Sequence, residues 1–218
     1  MIKVLAITDI HFNLNNLRKI LDRAKDCDLI LVAGDITNFG KDPEAKEVIK
    51  LLKNTNKPYF FVPGNCDYAK EFSDDVNEKN IHGKFTTYEN LAIIGLGGST
   101  PTPFNTPFEL SEETIKKMLY EVHSKIAEKF EKLILMSHVP PYNTLLDTTK
   151  TGIHVGSRSV RQFIEEHNVD LVISGHVHEA RSIDRLGKTV LVNPGPALQG
   201  NYAIITIGKE IDVKLEHI

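Results

Sequence analysis

Tryptophan is absent from these 218 residues, and cysteine occurs only twice, at Cys27 and Cys66. The two cysteines stand far apart with no Cys-x-x-Cys pair, so there is no disulfide framework and a reducing, cytoplasmic setting is expected. A chain of this length buries roughly 70% of the surface its unfolded form exposes, enough to fold on a hydrophobic core without staples. No apolar stretch approaches the ~20 residues of a membrane-spanning helix, and the apolar start of the chain ends at Asp9, too early for a signal peptide. No membrane partner is therefore expected. A basic excess is missing too: 26 Lys and Arg stand against 29 Asp and Glu, a net charge of −3, so general nucleic-acid binding is not expected. With no internal repeat, linker or shift in composition, residues 1–218 are read as a single domain. Histidine, by contrast, is plentiful: the chain holds nine.

Short apolar runs alternate with amphipathic stretches over the first two thirds. Ile2–Ile7, Leu29–Ala33 and Tyr59–Val62 read as strands buried on both faces. Asn13 or Asn16 caps a helix carrying Leu17, Ile20, Leu21 and Ala24 at helical spacing, and Pro43 suits the first turn of a second helix over 43–52. Leu91–Leu96 is a further strand, followed by a Gly/Ser/Thr/Pro-rich loop over 97–107. Ser111 opens a long amphipathic helix toward Phe130, ahead of a strand at 133–136. Residues 140–156 form a loop long enough to suggest function. A helix near 159–167 then precedes the strand Leu171–Ile173. After residue 180 the pattern changes to strands at 181–186, 189–192, 203–207 and 211–215, read as antiparallel, with Leu186-Gly187-Lys188-Thr189 as a hairpin turn. This is an α/β sandwich with a β-rich C-terminal half.

The unusual polar residues fall at strand ends on this map. Asp9 and His11 follow the first strand, Gly34-Asp35 the second and Gly64-Asn65 the third. Ser137-His138 and Gly175-His176-Val177-His178 follow two later ones. The carboxyl edge of an open α/β sheet is where ligands bind. Two Asp, one Asn and four His offer mixed O/N donors suited to Mn, Fe, Zn or similar divalent ions. Seven donors are too many for one tetrahedral ion and suffice for two if one carboxylate is shared. Each piece alone reads as ordinary turn chemistry or a structural histidine; their joint occurrence, in order and always at a strand end, does not.

The series Asp9-x-His11, Gly34-Asp35-x-x-x-x-Gly40, Gly64-Asn65-x-Asp67, Ser137-His138 and Gly175-His176-x-His178 resembles the calcineurin-like metallophosphoesterases. The Gly64-Asn65-Cys66-Asp67 block and the 152–161 stretch are similar to small prokaryotic Icc-related phosphoesterases. The resemblance implies a four-layer αββα sandwich, two mixed sheets flanked by helices. It implies two divalent metal ions (Mn, Fe, Zn or Ni), one held by Asp9, His11, Asp35 and His178, the other by Asp35, Asn65, His138 and His176, with Asp35 bridging. A hydroxide shared by the ions would attack a phosphodiester in line, a cyclic nucleotide being one such small phosphate-ester substrate. Two other readings are a phosphomonoesterase acting on nucleotide or sugar phosphates, and a non-catalytic interaction scaffold on the same fold, for which eroded ligands would be expected.

One position departs from the pattern. Many relatives carry a histidine after the Asn, placed to protonate the leaving oxygen, and here that residue is Cys66, whose thiol carries no positive charge. Cys66 otherwise reads as a small buried packing residue. His154, in the 140–156 loop, is the candidate replacement donor, and Asp67 is a candidate to orient a ligand from behind. Arg158 and Arg161 read as surface charge rather than phosphate contacts, and His82, His123, His167 and His217 match no block and read as surface residues. The 97–107 segment lacks the Gly-Lys-Ser/Thr ending of a phosphate loop and reads instead as a substrate-shaping border. Apolar C-terminal edge strands suggest a homodimer.

Overall fold

The computed structural model describes residues 1–23, 25–127 and 129–218. Its strands alternate with helices in the order β1 (Ile2–Ile7), α1 (Leu14–Arg23), β2 (Leu29–Ala33), α2 (Asp42–Lys53), β3 (Tyr59–Val62), α3 (Asp74–Asn77), β4 (Lys84–Tyr88) and β5 (Leu91–Leu96). There follow α4 (Glu112–Ser124), β6 (Lys132–Ser137), α5 (Arg158–Glu166), β7 (Leu171–Ile173), β8 (Ser182–Leu186), β9 (Thr189–Asn193), β10 (Asn201–Ile207) and β11 (Ile211–His217). One sheet has the order β11-β10-β1-β2-β3, the other β4-β5-β6-β7-β9-β8. Both are mixed: β1, β2 and β3 run parallel, as do β5, β6, β7 and β9, while β10, β11, β4 and β8 pair antiparallel.

The two-residue period of a strand explains the layering. Leu5 and Ile7 of β1 face α1 and α2 among Leu17, Ile20 and Val48, whereas Val4 and Ala6 face the second sheet among Ile93, Ile134 and Ile173. The alternate residues of that sheet, such as Ile94 and Leu135, pack under α4 and α5 against Leu119 and Phe163. Three apolar layers between four structural ones give the αββα sandwich, and strands apolar on both faces are what such burial demands.

Local signals set most boundaries. Asn13 Oδ1 accepts the Asn16 N–H at 3.0 Å ahead of α1, so Asn13 is the cap. Ser111 and Ser157 cap α4 and α5 by accepting from Thr114 N and Val160 N. The helix expected to run toward Phe130 stops at Ser124, and Lys125 closes it; Ala24 and Glu128 lie outside the described residues. The C-terminal strands pair antiparallel within each hairpin, as expected, but the two hairpins join different sheets. The β8–β9 hairpin extends the second sheet with β9 parallel to β7, and β10–β11 return to pair with β1 in the first. No helix among the described residues is long and apolar enough to cross a membrane.

Candidate metal centre

Asp9 and His11 leave the end of β1, Asp35 that of β2 and Asn65 that of β3, while His138 follows β6 and His176 and His178 follow β7. Because the two sheets face each other, these strand ends meet. His11 Nε2 lies 3.6 Å from Asp35 Oδ2 and 3.2 Å from His178 Nε2, which lies 3.2 Å from Asp9 Oδ1. His138 Nε2 lies 3.5 Å from Asp35 Oδ2 and 3.0 Å from Asn65 Oδ1, and Asn65 Oδ1 lies 2.7 Å from His176 Nδ1. The structure thus gathers all seven residues singled out in the sequence, with Asp35 touching both groups. Donor atoms of Asp9, His11 and His178, and those of Asp9, Asp35 and His138, are close enough together to hold a metal ion.

The backbone is shaped for this convergence. Asp9, His11, Asp35 and His176 all have positive φ, between 45° and 67°, a region costly for residues with a Cβ and one that clusters at functional sites. Gly34 lies at φ +98°, and a Cβ there would run into the His138 ring; one at Gly175 would run into Thr8 and Asp9. Those glycines let the site side chains sit against the main chain. Asp9 is held by the Thr8 hydroxyl at 2.6 Å and the His176 N–H at 3.1 Å, and Asp35 Oδ1 accepts the Cys66 N–H at 2.8 Å.

Asp9 and Asp35 are buried, and among the described residues every ion-pair partner they have is a histidine. Burial works against ionising Asp35, but His138 and His11 beside it hold its carboxyl below the ordinary range. Asp9 is likewise lowered, burial being outweighed by His178 and His138. His138 is pushed up to about 9 because Asp35 and Asp9 overcome its burial penalty. His176 is pushed down to about 4 by burial and by the neighbouring His138. The free chain thus balances its two buried carboxylates with protons on imidazoles.

A divalent cation suits this donor set better. His138 Nδ1 is 2.8 Å from the Ala33 carbonyl, which fixes a proton on Nδ1 and leaves Nε2, aimed at Asp35 and Asn65, as the nitrogen that would ligate a metal once its own proton is displaced. Asn65 Oδ1, itself an acceptor, faces ring nitrogens of two histidines. Carboxylate and amide oxygens and imidazole nitrogens converging in a buried site form a donor set that a divalent cation can hold in place of the protons the imidazoles carry in the free chain.

The centre floors a cleft of about 440 Å³ whose lining adds Phe39, Cys66, Thr100, Pro101, Phe104, Val155 and Glu179 to the ligand-type residues, with no Lys or Arg. The 97–107 loop does border it, as expected. Phe39, Phe104 and Glu179 were not anticipated, since exposed residues on loops carry no periodic signal. Cys66 is buried at the cleft, and desolvation together with the Asp35 carboxylate raises its thiol well above the ordinary range. Asp67 lies behind the site and accepts from Ile36 N, Thr37 N, Gly64 N and the Thr37 hydroxyl, tying the loops after β2 and β3 together. His154 does not line the cleft; its Nδ1 lies 2.7 Å from Asp147 Oδ1. Asp147 is buried and also accepts from Asn143 N, Thr144 N and Gly156 N, bracing the 140–156 loop from within.

Arg161 bonds to the Tyr142 and Asn143 carbonyls and Glu165, and Arg158 stacks over Tyr142. Neither reaches the cleft. Of the four histidines read as surface residues, His217 is exposed. The other three are corrections: His82 accepts the Gly97 N–H, and His123 and His167 pack around Phe163.

Comparison with known proteins agrees with this geometry. The family described as calcineurin-like phosphoesterase matches residues 2–180. The protein MJ1162 of Methanocaldococcus jannaschii is 42% identical over 201 residues, covering 89% of this chain and 88% of its own. The 3′,5′-cyclic adenosine monophosphate phosphodiesterase CpdA of Haemophilus influenzae is 24% identical over 188 residues, 84% of this chain and 66% of its own. The crystal structure of TT1561 of Thermus thermophilus superposes with a TM-score of 0.80 at 20% identity, over 99% of this chain and 98% of that one, a likeness of fold. The chain belongs to the calcineurin-like phosphoesterase family and is a metal-dependent phosphoesterase.

Proposed function

We propose that the protein hydrolyses phosphodiesters at a dinuclear metal centre. Asp9, His11, Asp35 and His178 would hold one ion and Asp35, Asn65, His138 and His176 the other, with Asp35 shared. The observation that carries this reading is the position of Asp35 Oδ2, 3.6 Å from His11 Nε2 in one group and 3.5 Å from His138 Nε2 in the other. Two such ions supply a water of pKa ~7 and a double clamp on the phosphoryl oxygens.

The chain's own groups set the rest. Ala33, Thr8 and the Cys66 N–H orient His138, Asp9 and Asp35 before any substrate arrives, so little reorganisation is needed. The absence of Lys and Arg from the cleft lining favours a singly charged diester over a dianionic monoester, which needs more positive charge to leave water. The 3′,5′-cyclic adenosine monophosphate for which CpdA is named, a cyclic diester, is of that class. Cys66 offers an S–H donor but no charge, so turnover should depend steeply on the basicity of the leaving group.

The test is a chelated protein reloaded with Mn, Zn or Fe and assayed on bis(p-nitrophenyl) phosphate, p-nitrophenyl phosphate and 3′,5′-cyclic AMP. Metal-dependent hydrolysis that favours the diesters is expected. Preference for the monoester would overturn the diester assignment, and no hydrolysis with any metal would overturn the enzyme reading altogether.

A further inference from the structure

Two phenylalanines lining the cleft are left largely exposed. Phe39 is 52% exposed and Phe104 is 81% exposed. Phe39 also sits at φ +56°, a left-handed conformation that costs free energy in any residue but glycine. Apolar rings left in water beside a cleft, one of them on a strained backbone, mark a surface suited to a ligand.

Both rings are presented by loops that are tied down. On the first, four residues beyond Asp35, the Thr37 hydroxyl donates to Asp67 Oδ1 at 2.6 Å and accepts the Gly40 N–H at 3.2 Å, closing the turn that carries Phe39. On the second, Glu109 Oε1 accepts from the Thr102 hydroxyl, the Thr106 hydroxyl and the Thr106 N–H at 2.7 to 2.8 Å, while the Phe104 N–H donates to Thr102 Oγ1 at 3.2 Å. The rings therefore project from braced supports, a preorganised arrangement that lowers the cost of binding.

The surroundings narrow what the rings bind. Phe39 and Phe104 line the same cleft as His11, Asp35, Asn65, His176 and His178, with Pro101 between them in sequence and no Lys or Arg in the lining. A group seated there is contiguous with the phosphoryl position, apolar and not anionic. From this juxtaposition we propose that Phe39 and Phe104 form a specificity subsite that stacks a planar aromatic part of the substrate, a nucleobase or a simple aryl ring, beside the metal centre. The proposal rests on the phosphodiesterase reading above and adds to it the chemical class of the ester. Ring-on-ring packing adds to area burial when the faces are offset or edge-on, and aliphatic esters gain none of it.

The experiment uses full-length, Mn-loaded protein and two diesters: 3′,5′-cyclic AMP, which carries a nucleobase, and glycerophosphoethanolamine, which carries no ring. Phe39→Ala and Phe104→Ala are each expected to lower the ratio of kcat/KM for the aromatic ester over the aliphatic one by roughly five- to tenfold, mainly through KM, while Phe39→Tyr and Phe104→Tyr keep the ratio. Both positions are exposed, and far-ultraviolet circular dichroism of each variant verifies the fold. A ratio unchanged in both alanine variants overturns the proposal. Methylphenylphosphinate, a singly charged aryl anion with two P–C bonds and no ester bond to hydrolyse, gives a second reading by calorimetry. Weaker binding to both alanine variants supports an aryl-accepting subsite, weaker discrimination for cyclic AMP alone restricts it to nucleobases, and equal binding together with an unchanged ratio removes it. If the wild-type protein hydrolyses neither diester with any metal, the phosphodiesterase reading fails, and the calorimetric affinities for the phosphinate and for unhydrolysed cyclic AMP still decide the subsite: equal affinity of wild type and both alanine variants for both ligands removes it.

Discussion

At the scale of single residues, the seven ligand-type positions were legible because each is a polar residue at the end of an apolar run, where nothing in a core explains it. His154 was legible as a loop histidine but not as to partner, since the Asp147 carboxylate that binds it is seven residues away across a folded loop. That bond makes His154 a brace. His154→Ala should lower the melting temperature while leaving the slope of log kcat against leaving-group pKa as it is in the wild type; a slope that steepens in the variant would restore His154 as proton donor. His82 gives a second prediction. Burial holds its ring down to about 4 against an ordinary 6.5, and its Nδ1 accepts the Gly97 N–H at 2.8 Å, a bond that requires the neutral form. The unfolded chain takes up this proton near pH 6.5 and the folded chain resists it until about 4. Stability from this group is therefore complete above 6.5 and falls as pH drops through that window. Urea titrations should show His82→Gln losing about 2–3 kcal/mol less than wild type between those pH values, and parallel curves for the two proteins would contradict the assignment.

At the scale of elements, the strands apolar on both faces were read nearly to the residue, because burial on two sides leaves a continuous run that few other structures need. The strand β4, Lys-Phe-Thr-Thr-Tyr, was not read, since an edge strand with polar residues on its outer side looks like loop. The end of α4 was read too late because Ile126 and Phe130 continue its apolar spacing past the point where Lys125 closes the helix. Helix pairing was hidden as well. Glu112, the first residue of α4, accepts from the Ser157 hydroxyl, the Arg158 N–H and the Ser159 N–H at 2.7 to 3.0 Å, so one helix supplies the acidic cap of another. Such a cap satisfies orphan N–H groups and meets the positive end of the helix dipole. Glu112→Ala should cost roughly 1–2 kcal/mol and lower the melting temperature by about 3–6 °C; a thermal scan that superposes on the wild type would show the cap to be dispensable.

At the scale of the whole molecule, function follows from the way two sheets are stacked. Parallel strands place their carboxyl ends on one side, and packing β1, β2 and β3 against β6 and β7 through a shared apolar layer closes the seven donors that follow these strands into one site. That layered arrangement was implied by the resemblance of the five sequence blocks, whereas the division of the C-terminal strands between the sheets was not, because strand pairing between distant segments leaves no local mark. The exposed Phe39 and Phe104 belong to the same lesson: only the folded molecule puts them on one cleft. The account stands on Asp35 serving two ions at once, and the most direct measurement of it is metal content per chain, by inductively coupled plasma mass spectrometry, in Mn-loaded wild type and Asp35→Asn, with diester turnover measured on the same samples. Two ions per wild-type chain are expected, with a loss of metal from both positions in the variant and turnover reduced by about 100-fold or more. A variant that keeps one tightly bound ion and near-native turnover would contradict the shared centre.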